Sequence, residues 1–170
     1  TSNAEWPDPG VPYFVTDELD VAAELTIRPG TRFEFGASVR MEIDPDGALI
    51  ADASAGEPIV FTGDEETPGY WRGIQIESGN TSSVMDHVEV SYAGEQDGFS
   101  GSEEGNVYLY GGTQPAYLLL RNSTISNGAS HGVVYDNNTT LTDDGTNTTT
   151  PFTSVTMMNI GDDLSGFSDY

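Results

Sequence analysis

The feature that most constrains this chain is a short strand-and-corner unit that it repeats. Val88-Glu89-Val90-Ser91-Tyr92-Ala93-Gly94 returns in altered form as Ser123-Thr124-Ile125-Ser126-Asn127-Gly128 and as Val155-Thr156-Met157-Met158-Asn159-Ile160-Gly161. Each copy puts inward-sized residues at i and i+2, a Tyr or Asn at i+4, and a glycine soon after. A period of two is the strand period, because alternate side chains point to one face. Asn and Gly at a strand end supply a turning or left-handed backbone, so each strand stops at a sharp corner. A motif recurring with spacers of variable length is the signature of a solenoid, in which each repeat buries its face against its neighbours.

A second repeat lies nearer the start. Leu25-Thr26-Ile27-Arg28-Pro29-Gly30 leads to Phe33-Glu34-Phe35, and sixteen residues later Met41-Glu42-Ile43-Asp44-Pro45 and Gly47 lead to Leu49-Ile50-Ala51. Each unit reads as strand, proline-glycine corner, strand. Naming the first strand A and the second B, the A series continues as Ile59–Phe61, Val88–Val90, Ser123–Ile125 and Val155–Met157. The B series runs Phe33–Phe35, Leu49–Ala51, Ile74–Ile76, Val107–Leu109 and Val133–Tyr135. Stacking A on A and B on B gives parallel sheets with strands about 4.8 Å apart. The run Ala116-Tyr117-Leu118-Leu119-Leu120 is the candidate for a third sheet, and Asn127 and Asn159 for an asparagine ladder at one corner. Trp6 to Val15 reads as an extended lead-in, Asp17 to Leu25 as a two-turn helix capping the first strands, and Asp136 to Pro151 as a long polar loop. The last residues, with Leu164, Phe167 and Tyr170, are expected to fold back over the open end.

Ser2-Asn3-Ala4 resembles the remnant of a cleaved tag, so residues 1–4 are set aside and 5–170 are read as a single domain. No apolar run approaches the ~20 residues of a membrane span. The absence of cysteine excludes a disulfide framework and a thiolate metal site. Charge is the loudest compositional signal: 28 acids face five bases, all arginine, for a net charge of −23. Such a surface repels phosphate backbones and anionic lipid, which argues against nucleic acid and membrane as partners. It resembles the surfaces of proteins from saline habitats, where screening relieves self-repulsion.

Leu25-Thr26-Ile27-Arg28-Pro29-Gly30-Thr31, Pro58-Ile59-Val60-Phe61-Thr62 and Asp86-His87-Val88-Glu89-Val90 resemble the right-handed parallel β-helix, the fold of pectate lyases and of non-enzymatic surface proteins. The resemblance spans roughly Tyr13 to Asp162. It implies an all-β solenoid of about six rungs, extracellular or attached to a cell surface. Polygalacturonase-like members of the fold carry an aspartate pair and then a Gly-His-Gly motif. Here Ser130-His131-Gly132 precedes Gly161-Asp162-Asp163, the reverse order. A lyase-like site would need a base, and only Arg72 and Arg121 sit beside strands; each reads more simply as an ion-pair partner. His87 and His131 read as corner and rim residues.

The register suggests a different constellation. If all A-to-B connections share one corner, they stack Asp44 and Asp46, then Asp64, Glu65 and Glu66, then Glu95, Asp97, Glu103 and Glu104. Carboxylates at that density call for a cation, and calcium is the candidate. Tyr70, Trp71 and Phe99 lie in or beside the same loops, where aromatic faces next to carboxylates could hold sugar rings. The alternatives are a solvated acidic face and, for Trp71, packing beneath the Thr62–Pro68 loop. The expectation is a non-catalytic module of a larger surface protein, a spacer or a binder of polysaccharide or of another surface protein. The rival is a polysaccharide-active enzyme, a lyase or glycosidase, on the same fold.

Overall fold

The computed structural model describes residues 2–95, 105–112 and 114–142, together with the backbone alone of 143, 148–150 and 157–159. Across them the chain is made of strands and corners, without a helix. The strands come in threes. The first set is β1 (Ala4–Trp6), β2 (Tyr13–Val15) and β3 (Leu19–Val21), followed by β4 (Glu24–Ile27), β5 (Arg32–Phe35) and β6 (Arg40–Ile43). Next come β7 (Ala48–Asp52), β8 (Ile59–Gly63) and β9 (Gly73–Ile76), then β10 (Val84–Asp86), β11 (Val88–Ser91) and β12 (Gly105–Leu109). The chain continues with β13 (Ala116–Arg121), β14 (Thr124–Ser126) and β15 (His131–Tyr135), and then β16 (Thr139–Asp143), β17 (Thr148–Thr150) and β18 (Met157–Asn159).

Every third strand pairs in parallel. Sheet 1 runs β1-β4-β7-β10-β13-β16, sheet 2 runs β2-β5-β8-β11-β14-β17, and sheet 3 runs β3-β6-β9-β12-β15-β18. Parallel neighbours need a long crossover connection; here the crossover is the other two strands of the turn. The architecture is all-β, three stacked parallel sheets, consistent with a β-helix solenoid. Ala116–Arg121 joins sheet 1, the third sheet that its sequence suggested.

Several expectations change. The supposed lead-in contributes β1 and β2, and Ala4 itself pairs with Leu25. The Asp17–Leu25 stretch is strand, because Leu19 and Val21 both face inward and pair with Met41 and Ile43. Two turns of isolated helix could not repay their nucleation cost, whereas these strands gain partners. Leu25 stacks on Leu49, not on Met41, and Phe33 stacks on Phe61, not on Leu49. The sixteen-residue repeat therefore relates two different corners rather than two stacked strands. The later A strands at Ile59, Val88 and Thr124 do stack, in sheet 2, and the later B strands at Ile74, Val107 and Val133 stack in sheet 3. Asn159 pairs with Tyr135 in sheet 3 while Asn127 follows β14 in sheet 2, so they form no common ladder. The proposed tail cap, Leu164 to Tyr170, lies outside the described residues.

The core is a column inside the three sheets. Its early turns are filled by rings: Trp6, Tyr13, Phe33 and Phe61 lie in contact, with Phe33 on Phe61 at 5.2 Å and 10°. Phe35 and Trp71 stack at 4.1 Å and 5°. Its later turns are aliphatic, with Val90, Val107, Leu118, Leu120, Ile125 and Val133. Polar groups are also buried there. Asn106 donates to the carbonyls of Ser126 at 2.9 Å and Val90 at 3.3 Å, tying two successive sheet 2 strands to β12. Gly128 passes so close that a Cβ there would overlap the Asn106 carboxamide. On the outside of sheet 3 one register column runs Asp20, Glu42, Gln75, Tyr108, Val134, passing from exposed acid to buried apolar residue.

Candidate functional site

The acidic residues do not share one corner. Asp44 and Asp46 lie between β6 and β7, where sheet 3 turns into sheet 1. Asp64, Glu65, Glu66 and Glu95 lie where sheet 2 turns into sheet 3. Asp97, Phe99, Glu103 and Glu104 are outside the described residues. The single-corner expectation assumed that Met41 and Leu25 stack, and it fails with that register. Among the described residues no three Asp, Glu or His side chains converge closely enough to hold a metal ion.

Much of the negative charge is instead met by arginine. Arg40 pairs with Glu42 at 2.6 Å and with Glu18 at 3.6 Å; Arg72 joins Glu18 at 3.1 Å to Glu95 at 3.6 Å; Ser38 Oγ donates to Glu95 at 2.6 Å. Arg28 pairs with Glu5, Arg32 with Glu34, and Arg121 with Asp86. All five arginines of the chain are thus engaged by carboxylates, as the readings of Arg72 and Arg121 anticipated. Burial raises the Glu42 carboxyl above its ordinary value, and Glu77, Asp44 and Asp20 push the same way against Arg40. Burial likewise raises Asp44, helped by Asp20 and Asp46.

Of the three aromatic candidates, Trp71 is a core residue. It is 0% exposed, one face lies on Phe35, and its Nε1 donates to Ser91 O at 2.8 Å. No ring face is left for a sugar. Tyr70 is half-buried beside its loop; partial burial, then Glu65 and Asp64, push its hydroxyl above the usual range.

A groove lies on the outer face of sheet 2, where the alternation of β5, β8, β11 and β14 turns polar side chains away from the core while Phe33, Phe61, Val90 and Ile125 turn inward. Glu34, Thr62, Ser91 and Ser126 fall in one register column; Arg32, Val60, Glu89 and Thr124 fall in the next. Ser91 Oγ donates to Thr62 Oγ1 at 3.0 Å. These two columns floor a groove of about 410 Å³, walled by Asp64, Glu66, Tyr92 and Asn127. That volume is within the range of small-molecule sites. Tyr92 (φ 61°) and Asn127 (φ 53°) occupy successive left-handed corners, one turn apart. Left-handed backbone is uncommon outside glycine and asparagine, and for a bulky residue it is a mark of function or strain. The sequence marked Tyr92 only as a corner residue. Its place at the groove could have been found from the Ser91–Ser126 register.

A second polar cluster sits where sheet 1 turns into sheet 2. Asp86 accepts from Arg121 Nε at 2.7 Å and Asn122 Nδ2 at 2.8 Å, with His87 Nδ1 at 2.9 Å. Burial alone would raise the Asp86 carboxyl, but the Asn122 and Arg121 hydrogen bonds and the charges of Arg121 and His87 hold it below the usual range. His87 is a left-handed corner residue (φ 51°), outside the strands as its sequence suggested, whereas His131 is the first residue of β15, half-buried, and Gly132 beside it is strand rather than turn. The Asp86 cluster pins neighbouring turns together.

Comparison with known proteins gives no relative: no family model, no curated protein and no solved structure matches the chain.

Proposed function

We propose that the chain is a right-handed parallel β-helix module of about six turns, carried by a larger extracellular or surface-attached protein, that binds polysaccharide without cleaving it. The observation that carries this reading is the hydroxyl-floored groove on sheet 2 with Tyr92 at its wall. Sugar rings are held by apolar stacking on an aromatic face together with hydrogen bonds to hydroxyls, amides and carboxylates, and Ser91, Thr124, Ser126, Asn127, Glu34 and Glu89 supply those groups. The walls favour neutral or amino sugars over uronates, because Asp64, Glu66 and Glu89 outnumber Arg32, itself paired with Glu34. The rival enzymatic reading gains less support. Glu34 and Glu89 lie two strands and one column apart, about 12 Å between Cα atoms, and Arg32 is the sole basic residue lining the groove.

Calcium remains a proposal for the Asp64–Glu66 rim, bridging acidic sugars or easing repulsion. The test is calorimetric titration of neutral, amino and uronic oligosaccharides, with and without millimolar calcium. Tyr92→Ala should weaken the preferred sugar at least tenfold and leave the melting temperature nearly unchanged. Binding that Tyr92→Ala leaves intact would refute the groove; reducing ends appearing in the mixture would establish the enzyme.

A further inference from the structure

The chain carries the acceptor signature for asparagine-linked glycans, Asn-x-Ser/Thr with x other than proline, at Asn80, Asn122, Asn137, Asn138 and Asn147. Asn147 is outside the described residues. The other four differ in what the fold leaves free. Transfer needs two groups presented together, the carboxamide nitrogen and the hydroxyl two residues on. At Asn122 the carboxamide donates to Asp86 at 2.8 Å. At Asn138 it donates to the Gly111 carbonyl. At Asn137 the hydroxyl of Thr139 is spent on Asp136 O at 2.7 Å.

Asn80 is different. Asn80, Thr81 and Ser82 are all exposed. Asn80 Oδ1 accepts from the Ser82 backbone at 3.0 Å, and the Ser83 backbone donates to Asn80 O at 3.0 Å, which folds the signature into a tight, outward turn. Its base is fixed: Ser78 is buried, its Oγ accepts from Asn80 N at 3.1 Å and donates to Gly47 O at 2.5 Å. Asn80 Nδ2 and Ser82 Oγ make no hydrogen bond among the described residues. Beside them opens a depression bounded by Pro45, Asp46, Gln114 and Pro115, with space for a first sugar ring. This loop joins β9 to β10, the one corner that does not border sheet 2, so a glycan there leaves the groove open.

We propose that, among the described acceptor asparagines, Asn80 is the one at which the folded chain accepts an N-linked glycan, and that the fold withholds Asn122, Asn137 and Asn138. The setting rests on the surface-protein reading above. The donor is a sugar on a polyprenyl diphosphate. Asn80 Nδ2 attacks the anomeric carbon, a C–N bond replaces the anomeric C–O bond, the diphosphate leaves with the bonding pair, and the amide gives one proton to the transferase.

The test incubates the purified folded chain, and separately the urea-unfolded and diluted chain, with a membrane-bound oligosaccharyltransferase and its lipid-linked oligosaccharide, and maps peptides by mass. The folded chain should gain a glycan on the Asn80 peptide, lose it in Ser82→Ala and keep it in Ser82→Thr. The unfolded chain should also be modified at Asn122 or Asn138. A folded chain bare at Asn80, or modified as readily at Asn122 or Asn138, overturns the proposal. Because the assay does not depend on where a cell sends the protein, failure here would leave the surface reading to its own test.

Discussion

The early and late turns of this molecule fill the same column by different means. The early turns interlock rings, Trp6 through Phe61 on one run and Phe35 against Trp71 on another. The late turns use smaller aliphatic residues and recover definition with buried polar clips, chiefly Asn106 and Ser123, whose Oγ accepts from Val88 N at 3.1 Å. Rings supply large buried area and prefer offset stacking, so they fill and orient at once. Aliphatic residues pack densely but leave register less specified, and a buried amide that must meet two particular carbonyls restores it. The outer face of sheet 3 shifts in the same direction, from the acids Asp20 and Glu42 to Tyr108 and Val134, with Tyr110 packed against the last two.

The largest expected effect tests the ring half. Phe61→Ala should cost about 3–5 kcal/mol, read by chemical denaturation, since Phe61 is fully buried between Phe33 and Val90. Ile125→Ala, two positions further along the same column, should cost about 2–4 kcal/mol. If Ile125 costs more than Phe61, the ring stack does not dominate the early turns. Next comes the clip: Asn106→Ala should cost about 2–3 kcal/mol by stranding the carbonyls of Val90 and Ser126. A cost below about 0.5 kcal/mol would mean the late turns hold register without it.

A smaller effect separates the two halves by pH. Asp86 has its carboxyl held below its ordinary value of 3.8, so its contribution is present above that value and is lost as pH falls through the lower folded one. Glu42 is raised above 4.5, so it costs stability at neutral pH and that cost disappears as pH falls toward 4.5. The melting temperature should therefore rise as pH falls from neutrality toward 4.5, and fall as pH drops below 3.8. Glu42→Gln should flatten the rise, and Asp86→Asn the fall; a monotonic profile in the native chain would contradict both assignments. Smallest of all, Thr124→Ala on the outer face should change stability by less than about 0.5 kcal/mol.

Much of this fold was legible in the sequence, for a clear reason. Inward and outward positions follow from a period of two, so Val90 and Ile125 were placed inward and Glu89 and Thr124 outward, as found. Stacking was harder to see. Arg28-Pro29-Gly30 turns sheet 1 into sheet 2, and Asp44-Pro45-Asp46-Gly47 turns sheet 3 into sheet 1. Both corners need the same proline-glycine chemistry, so self-similarity detected turn chemistry and mistook it for vertical neighbours. The acidic corner fell with that register. Trp71 was ambiguous because a residue beside a loop and a strand can face either way, and its sequence carries no sign of Phe35 beneath it. The groove emerges only when Ser91 and Ser126 are known to be neighbours.

The parallel pairing of every third strand also has a mechanical consequence. The ladder hydrogen bonds point along the stack, so tension on the two ends of the chain loads them a few at a time, as a zipper, and not all together in shear. Tyr13 and Phe33 are 20 residues apart while Val90 and Ile125 are 35 apart, so detaching a late turn would pay out about 120 Å of chain at 3.3–3.6 Å per residue. An element built this way lengthens in unequal steps, each late turn releasing more chain than an early one.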